Sequence, residues 1–313
     1  MCIRDSRMAV DYRLLNELLM FDAASIPFQK QLFQFLSGKY YFTKVDNERG
    51  FYQLNLASPG NKLTSIVTPW GTYYFTRCPF GISTAPGVYQ DRMQNIILEP
   101  YFLKSCVVYI DDTIIAGTSC DDFLINLDNV FTRMAEYNVR LKPTKCNFGY
   151  DTVEFLGYKF DGNGYSLTDS RKQGIIKMTP PSSLTQLRSF LGMINFFRDF
   201  TPRLSLIMSP LSDLTKTSTH PEFIWTDEAQ LAFEEVKNAI SNSKSLYHID
   251  DTALTALFVD ACNLGIGSAL MQFINNIWVP IAFLSHKFSD AAKKWATIAV
   301  SYTHLRAHET DSY

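Results

Sequence analysis

Nowhere in the 313 residues does an apolar run reach the 18 residues that suggest a membrane-spanning helix. The opening MCIRDSRMAV has no apolar core of the kind a secretory signal needs. The six cysteines (Cys2, Cys78, Cys106, Cys120, Cys146, Cys262) include no CxxC pair. That argues against a zinc site or a disulfide framework and fits a reducing intracellular setting. Nothing repeats internally, and no segment is low in complexity. Nor is there a surplus of one charge, since the net value is −2. The balance conceals an asymmetry: Asp128–Lys216 carries twelve Lys and Arg against eight Asp and Glu, whereas Thr217–Ala261 carries two against eight. A mildly basic middle followed by an acidic segment implies surfaces with different tasks.

What is present is the composition of a folded protein, 46% apolar and 19% charged, with room for two or three domains. The two ends, residues 1–6 and 301–313, match no pattern in the body of the chain and read as non-native. On that expectation the biological fragment is truncated on both sides, and the spacing of His304 and His308 means nothing. Between them, KYYFTKVDNERGFYQLNL reads as a strand ending near Asp46, and TPWGTYYFTRCPFG as a hairpin turning at Gly71. TAPGVYQDRMQNIILEPYF predicts a helix opening at Pro86, with Val88, Met93, Ile96 and Ile97 on its apolar face. DDFLINLDNVFTRMAEYN predicts another helix, and VEFLGYKFDGNGYSL a strand, a Gly/Asn turn and a second strand. After Pro180 and Pro181, Ser183 and Gln186 form a capping box ahead of the stripe Leu187, Phe190, Leu191, Ile194, Phe197. Thr226 caps a helix with acids in its first turn, and two apolar β-like runs follow. Helices between strand pairs predict an α+β body, a small helical domain and a second α/β unit.

Three Asp-Asp pairs occur, and two lie in polar surroundings where a cap or turn explains them. The third, Asp111-Asp112, is embedded in SCVVYIDDTIIAGTS, where CVVYI and TIIAG predict two strands joined by an Asp-Asp turn. Alone, it reads more readily as an ordinary hairpin turn than as a site. Asp46 adds a third carboxylate at the end of an apolar strand. Buried charges are costly unless they are paired or coordinate a metal, and hard cations relieve the repulsion among clustered carboxylates.

Seven blocks then follow one another in order: RMAVDYRLLN (Arg7–Asn16), YFTKVDNERGFYQL (Tyr41–Leu54), RCPFGISTAPGVYQ (Arg77–Gln90), VVYIDDTII (Val107–Ile115), LKPTKCNFG (Leu141–Gly149), EFLGY (Glu154–Tyr158) and LRSFLGMINFFRDF (Leu187–Phe200). Any one is weak, but the ordered set resembles the reverse transcriptase of Gypsy-like LTR retrotransposons, from Arg7 to about Ala299. The resemblance implies an α+β right-hand polymerase of fingers, palm and thumb, followed by a truncated RNase H-like α/β domain. Fingers and palm would occupy residues 7–160, the thumb 161–216, and a connection with the RNase H-like part 217–300. It implies Asp46, Asp111 and Asp112 as the metal-binding carboxylates for two Mg²⁺ ions about 3.5–4 Å apart, with Mn²⁺ able to substitute and Asp112 the least essential.

By the same resemblance, Arg7 lies on the incoming triphosphate, Phe51 rejects a ribose 2′-hydroxyl, and Phe80 and Gly81 lie under template and nucleotide. Lys145 would protonate the pyrophosphate leaving group. Tyr109 would face the primer end, with Phe155, Leu156, Gly157 and Tyr158 forming the primer grip. Asp260 in FVDACNLGIGSALMQ would be the first carboxylate of the RNase H remnant, with Gly265 and Gly267 its turn. That remnant is expected to be inactive, because KKWATIAV enters the right helix but the acidic residue due next is missing. The implied partners are an RNA or DNA template with its primer strand and dNTPs, with no membrane. The implied location is the cytoplasm, within the element's virus-like particles. Two rivals remain, a viral RNA-dependent RNA polymerase and a truncated, catalytically impaired remnant that only binds template–primer duplex.

Overall fold

The computed structural model describes residues 10–20, 26–216 and 223–289. Arg7, both ends, the segment 217–222 and the helix expected over Lys293–Val300 lie outside the described residues. The chain divides into two compact units, Met1–Phe155 and Leu156–Tyr313.

In the first unit, helices α1 (Arg13–Leu18) and α2 (Gln29–Leu36) precede strand β1 (Tyr41–Asp46). A hairpin of β2 (Ile66–Thr68) and β3 (Gly71–Tyr73) leads to α3 (Ala85–Asp91), then β4 (Cys106–Tyr109), β5 (Asp112–Gly117) and α4 (Cys120–Glu136). Strands β6 (Asn147–Tyr150) and β7 (Val153–Phe155) close the unit. The sheet order is β4-β5-β1-β6, with antiparallel neighbours throughout. β5 is central and nearly all buried, as its run Thr-Ile-Ile-Ala-Gly dictates. Helices α3 and α4 supply Tyr89, Met93, Val130 and Met134 to the core over Val45, Val108 and Ile115. Ser119 caps α4 by accepting from the Asp122 N–H at 3.2 Å, and Asp121 and Asp122 favour its positive end.

The second unit holds β8 (Tyr158–Phe160), β9 (Gly164–Leu167), α5 (Asp169–Ile176) and α6 (Leu184–Asn195). Short helices α7 (Leu204–Ile207) and α8 (Ser209–Asp213) precede α9 (Asp227–Ser241). Four strands end it: β10 (Leu246–Tyr247), β11 (Leu254–Cys262), β12 (Gly265–Ile274) and β13 (Ile277–Lys287). β10 pairs with β9, which pairs with β8, while β11, β12 and β13 form an antiparallel meander. The stripe of α6 is buried at Leu187, Phe190 and Ile194, and Phe190 meets Phe233 of α9 with ring centres 5.0 Å apart. Arg198 Nη2 donates to Ser285 O at 2.6 Å, and Lys287 pairs with Asp213 at 2.7 Å. Residues on either side of 216 therefore share one unit.

Several local expectations shift by a residue or a turn. The loop between β4 and β5 is Ile110-Asp111, because Tyr109 and Asp112 already face each other in the ladder. Only one of the two adjacent acids is in the turn. The hairpin after β2 turns on Pro69-Trp70, with Gly71 opening β3. Gly265 and Gly267 lie in β12, and Asn263-Leu264 make the turn before it. Along α3, Val88 and Ile96 are exposed whereas Tyr89, Met93 and Ile97 are buried. The helix widens into a π-type segment over Arg92–Ile97, seen in the Leu98 N–H to Met93 O bond of 2.8 Å. The buried face runs through Tyr89, Met93 and Ile97 at a spacing of four, one position on from Val88 and Ile96. The capping box is half as expected: Ser183 Oγ accepts from Gln186 N–H, but the Gln186 side chain accepts from Ser182. VEFLGYKFDGNGYSL contains two turns, at Leu156-Gly157 and at Gly162-Asn163.

Candidate active site

The sheet register brings the first unit's acids together. Asp46, the last residue of β1, is the cross-strand partner of Asp112, the first of β5. The ladder ends there, and the next N–H along, that of Asn47, donates to Asp111 O at 3.2 Å. Asp111 thus sits in a two-residue turn directly beside the end of β1. Lys44 and Lys145 face these acids. Lys44 Nζ is 2.9 Å from Asp112 Oδ2, and Lys145 Nζ is 3.2 Å from Asp46 Oδ2. Asp46 and Asp112 are 21% and 30% exposed, so both ion pairs are only partly shielded from water.

Asp111 is held by what surrounds its turn. Ile110 has φ 53, an unfavourable backbone for a β-branched residue. Its N–H donates to Gln90 Oε1 at 2.7 Å, while Gln90 Nε2 donates to Val108 O at 3.0 Å. One buried glutamine, 1% exposed, therefore ties the turn to the β4 arm of the hairpin. Gln90 lies within a quoted block, but nothing in its sequence neighbourhood marks it. The signal is spatial, a polar residue on the buried side of a helix facing a strained turn. Gly50 completes the surroundings: a Cβ there would overlap Asp111 Oδ1, so only glycine leaves that carboxylate its place. Burial, and next the charge of Asp111, push the Tyr89 hydroxyl upward, which keeps it protonated beside the acid.

These residues fit a hard divalent cation. The donors are carboxylate oxygens, with Asp46 and Asp111 adjacent at the strand ends and Gly50 leaving the second carboxylate its space. Among the described residues no cluster of three or more His, Cys, Asp or Glu side chains stands ready-made for a metal. Magnesium needs none, since one or two carboxylates suffice where substrate phosphates and waters complete the octahedron.

Around the acids, Phe51 follows Arg49 and Gly50 into a short 3₁₀ turn. Its ring meets Phe80 and Tyr89 edge-on, with centres 5.7 and 5.8 Å away. Phe80 also packs against Tyr52 at 5.3 Å, and Gly81 takes φ 99. Tyr109 is half-buried at the end of β4. In FLGY, Phe155 and Tyr158 are buried side chains, and burial raises the Tyr158 hydroxyl to about 12. The half-exposed part is the Leu156-Gly157 turn. Asp260, in the second unit, lies within β11 opposite Gly267; its side chain is 68% exposed and ion-paired with Arg203.

A family model for reverse transcriptase (RNA-dependent DNA polymerase) matches residues 3–160, and one for the RNase H-like domain found in reverse transcriptase matches 225–304. The retrovirus-related Pol polyproteins from transposons 297 and 412 of Drosophila melanogaster are each 32% identical to the chain over 292 residues. The matches cover 93% of this chain but 27% and 23% of those polyproteins. The Tf2-3 transposon polyprotein of Schizosaccharomyces pombe is 27% identical over 286 residues, 91% of this chain and 21% of that one. The chain thus spans about a quarter of the length of these curated relatives. Among solved structures, the foamy viral protease-reverse transcriptase dRH in complex with double-stranded DNA superposes with TM-score 0.85 at 24% identity, covering 97% of this chain and 54% of that one. The foamy viral protease-reverse transcriptase bound to an RNA/DNA hybrid gives 0.78 at 24% identity, covering 98% and 41%. Those two show a shared α+β fold. With the first family model matching half of the residues, the chain belongs to the reverse transcriptase (RNA-dependent DNA polymerase) family.

Proposed function

We propose that this chain is the polymerase segment of a retrotransposon polyprotein, extending a primer with dNTPs on an RNA or DNA template. The observation that carries the reading is the adjacency of Asp46 and Asp111, one closing β1 and the other in the turn that the Asn47 N–H binds. Asp46 and Asp111 would hold the divalent ions, Mg²⁺ by the chemistry of the donors. When bound, such ions neutralise charge developing on the phosphoryl oxygens and hold the attacking and leaving oxygens in line.

The chain's own residues do the rest. Gln90 and Gly50 fix the Asp111 carboxylate before substrate arrives, so little reorganisation is left for the reaction. Lys44 holds Asp112 to one side, which leaves it a supporting acid. Lys145, half-exposed and near Asp46, can turn to the pyrophosphate and supply a proton as it leaves. Phe51, braced by Phe80 and Tyr89, is the wall against a 2′-hydroxyl. Leu156 and Gly157 offer backbone to the primer strand, and Tyr109 lies beside the Asp111 turn.

Primer extension on poly(rA)/oligo(dT) with Mg²⁺ tests this, beside Asp111→Asn. Extension by wild type alone supports the assignment, and equal extension by both removes it. Duplex binding without extension by either would mean a binding remnant. A second arm exchanges dNTP for rNTP: Phe51→Val should raise ribonucleotide incorporation by about tenfold or more. Unchanged discrimination would take Phe51 out of the sugar site.

A further inference from the structure

The Leu156-Gly157 turn is left-handed at both positions, φ 52 and 82. Glycine adopts that conformation freely, but leucine does so at a cost of about 1 kcal/mol or more. Something must therefore hold it. Arg171, in the first turn of α5, donates from Nη2 to Leu156 O at 3.0 Å. The same guanidinium lies against Gly157, where a Cβ would overlap it. Its Cζ lies over the Phe196 ring, just beyond α6 and 4.1 Å from the ring centre, and 5.7 Å from that of Tyr158. From the other side Thr168 Oγ1 donates to Gly157 O at 3.4 Å.

We propose that Arg171 is a positioning residue for the primer 3′ end, acting through the Leu156-Gly157 turn. This rests on reading that turn as the part that bears the primer. The arrangement uses what distinguishes arginine from lysine. A planar fork can donate to a carbonyl along its edge while stacking an aromatic ring on its face, and a single ammonium cannot do both. The guanidinium ties the turn to the aromatic end of α6, so the tilt of the turn follows the helix. Gly157 is required twice over, by its φ and by the guanidinium that fills the space of a side chain. A positive residue near nucleic acid would ordinarily be assigned to phosphates. Here the guanidinium is already committed to a carbonyl and two rings.

The test uses the full chain with Arg171→Lys, Arg171→Ala, Gly157→Ala and the Gly157→Ala/Arg171→Ala double variant. Three quantities are measured: template–primer affinity by fluorescence anisotropy across salt, single-nucleotide extension, and the melting temperature. Both Arg171 variants should slow extension by about tenfold to a hundredfold, the scale of an ångström-sized misplacement. Duplex affinity should stay within about threefold, with the salt slope unchanged, because no phosphate contact is lost. Gly157→Ala should lower the melting temperature less in the Arg171→Ala background than in wild type, since the clash partner is gone. Full activity in Arg171→Lys overturns the proposal, because charge alone would then suffice. A fall in affinity and salt slope together also overturns it, in favour of a phosphate contact. Wild type that extends no primer while residues 157 and 171 remain coupled in melting overturns the polymerase reading. An absence of that coupling with wild-type extension intact overturns the role of Arg171.

Discussion

Two aspartates invite the same reading in sequence and differ in structure. Asp111 and Asp260 each stand in apolar, β-rich sequence, and the resemblance implies a metal carboxylate at each. Asp111 occupies a strained turn, and its neighbours specify it: Gln90 bonds the turn and the β4 arm, Gly50 leaves room, and Asp46 lies at the adjoining strand end. Asp260 lies within strand β11, mostly exposed, and what it meets is Arg203. An acid in an apolar strand becomes a site when the surrounding structure is built to hold it, and residue type alone does not decide this. Asp46 stands between the two cases, with an ordinary strand conformation and a place set by register.

The contrast can be broken most forcefully at Asp111. Asp111→Asn should lower primer extension by about a thousandfold or more, since it removes a negative oxygen ligand from the divalent ions that would neutralise the phosphoryl charge. Asp260→Asn should leave extension within about twofold. Comparable losses in the two variants would erase the distinction.

Next in size is a pH effect in the second unit. Burial lowers His248, packed beside Phe160 and Tyr165, to about 4. The unfolded chain, at the ordinary histidine value near 6.5, binds the proton more readily, so stability is complete above about pH 6.5 and falls as pH drops toward 4. The loss approaches ~3 kcal/mol. Denaturant melts between pH 7 and 4 should show that slope in wild type and a flatter one in His248→Phe. Identical slopes would mean that other groups set the acid limit.

Gln90→Ala sharpens the comparison within the first unit. It strands the Ile110 N–H and Val108 O in the interior, and should cost about 1–3 kcal/mol in a denaturant melt. Extension should fall as well, while Gln90→Glu keeps one acceptor for Ile110 and loses less stability if its carboxyl stays protonated. A Gln90→Ala protein with wild-type stability and extension would show that the turn holds itself. The smallest expected effect is Arg203→Ala, which breaks an exposed ion pair and should shift stability by less than about 1 kcal/mol. A larger loss would show that Asp260 is held as firmly as Asp111.

Much of this was legible in the chain. Strand β1 ends at Asp46 as its aromatic and β-branched run suggests, and the caps at Ser183 and Thr226 are where polar residues precede apolar periodicity. The Ile110-Asp111 turn was displaced by one residue because adjacent acids look like a turn, whereas ladder pairing decides where the loop begins. Val88 and Ile96 were each misplaced by one position, because the buried face runs through Tyr89, Met93 and Ile97 at a spacing of four. Gln90 and Arg171 were not foreseen, since each acts by hydrogen bonds to backbone 15–20 residues away, which no local pattern encodes.

The central claim is that Asp46 and Asp111 jointly hold the divalent ions. Mn²⁺ titration followed by electron paramagnetic resonance, with template–primer and dNTP present, tests it without requiring turnover. Asp46→Asn and Asp111→Asn should each weaken binding by about tenfold or more, with Asp112→Asn affected less and Asp260→Asn unchanged. Wild-type Mn²⁺ binding in both Asp46→Asn and Asp111→Asn would contradict the account.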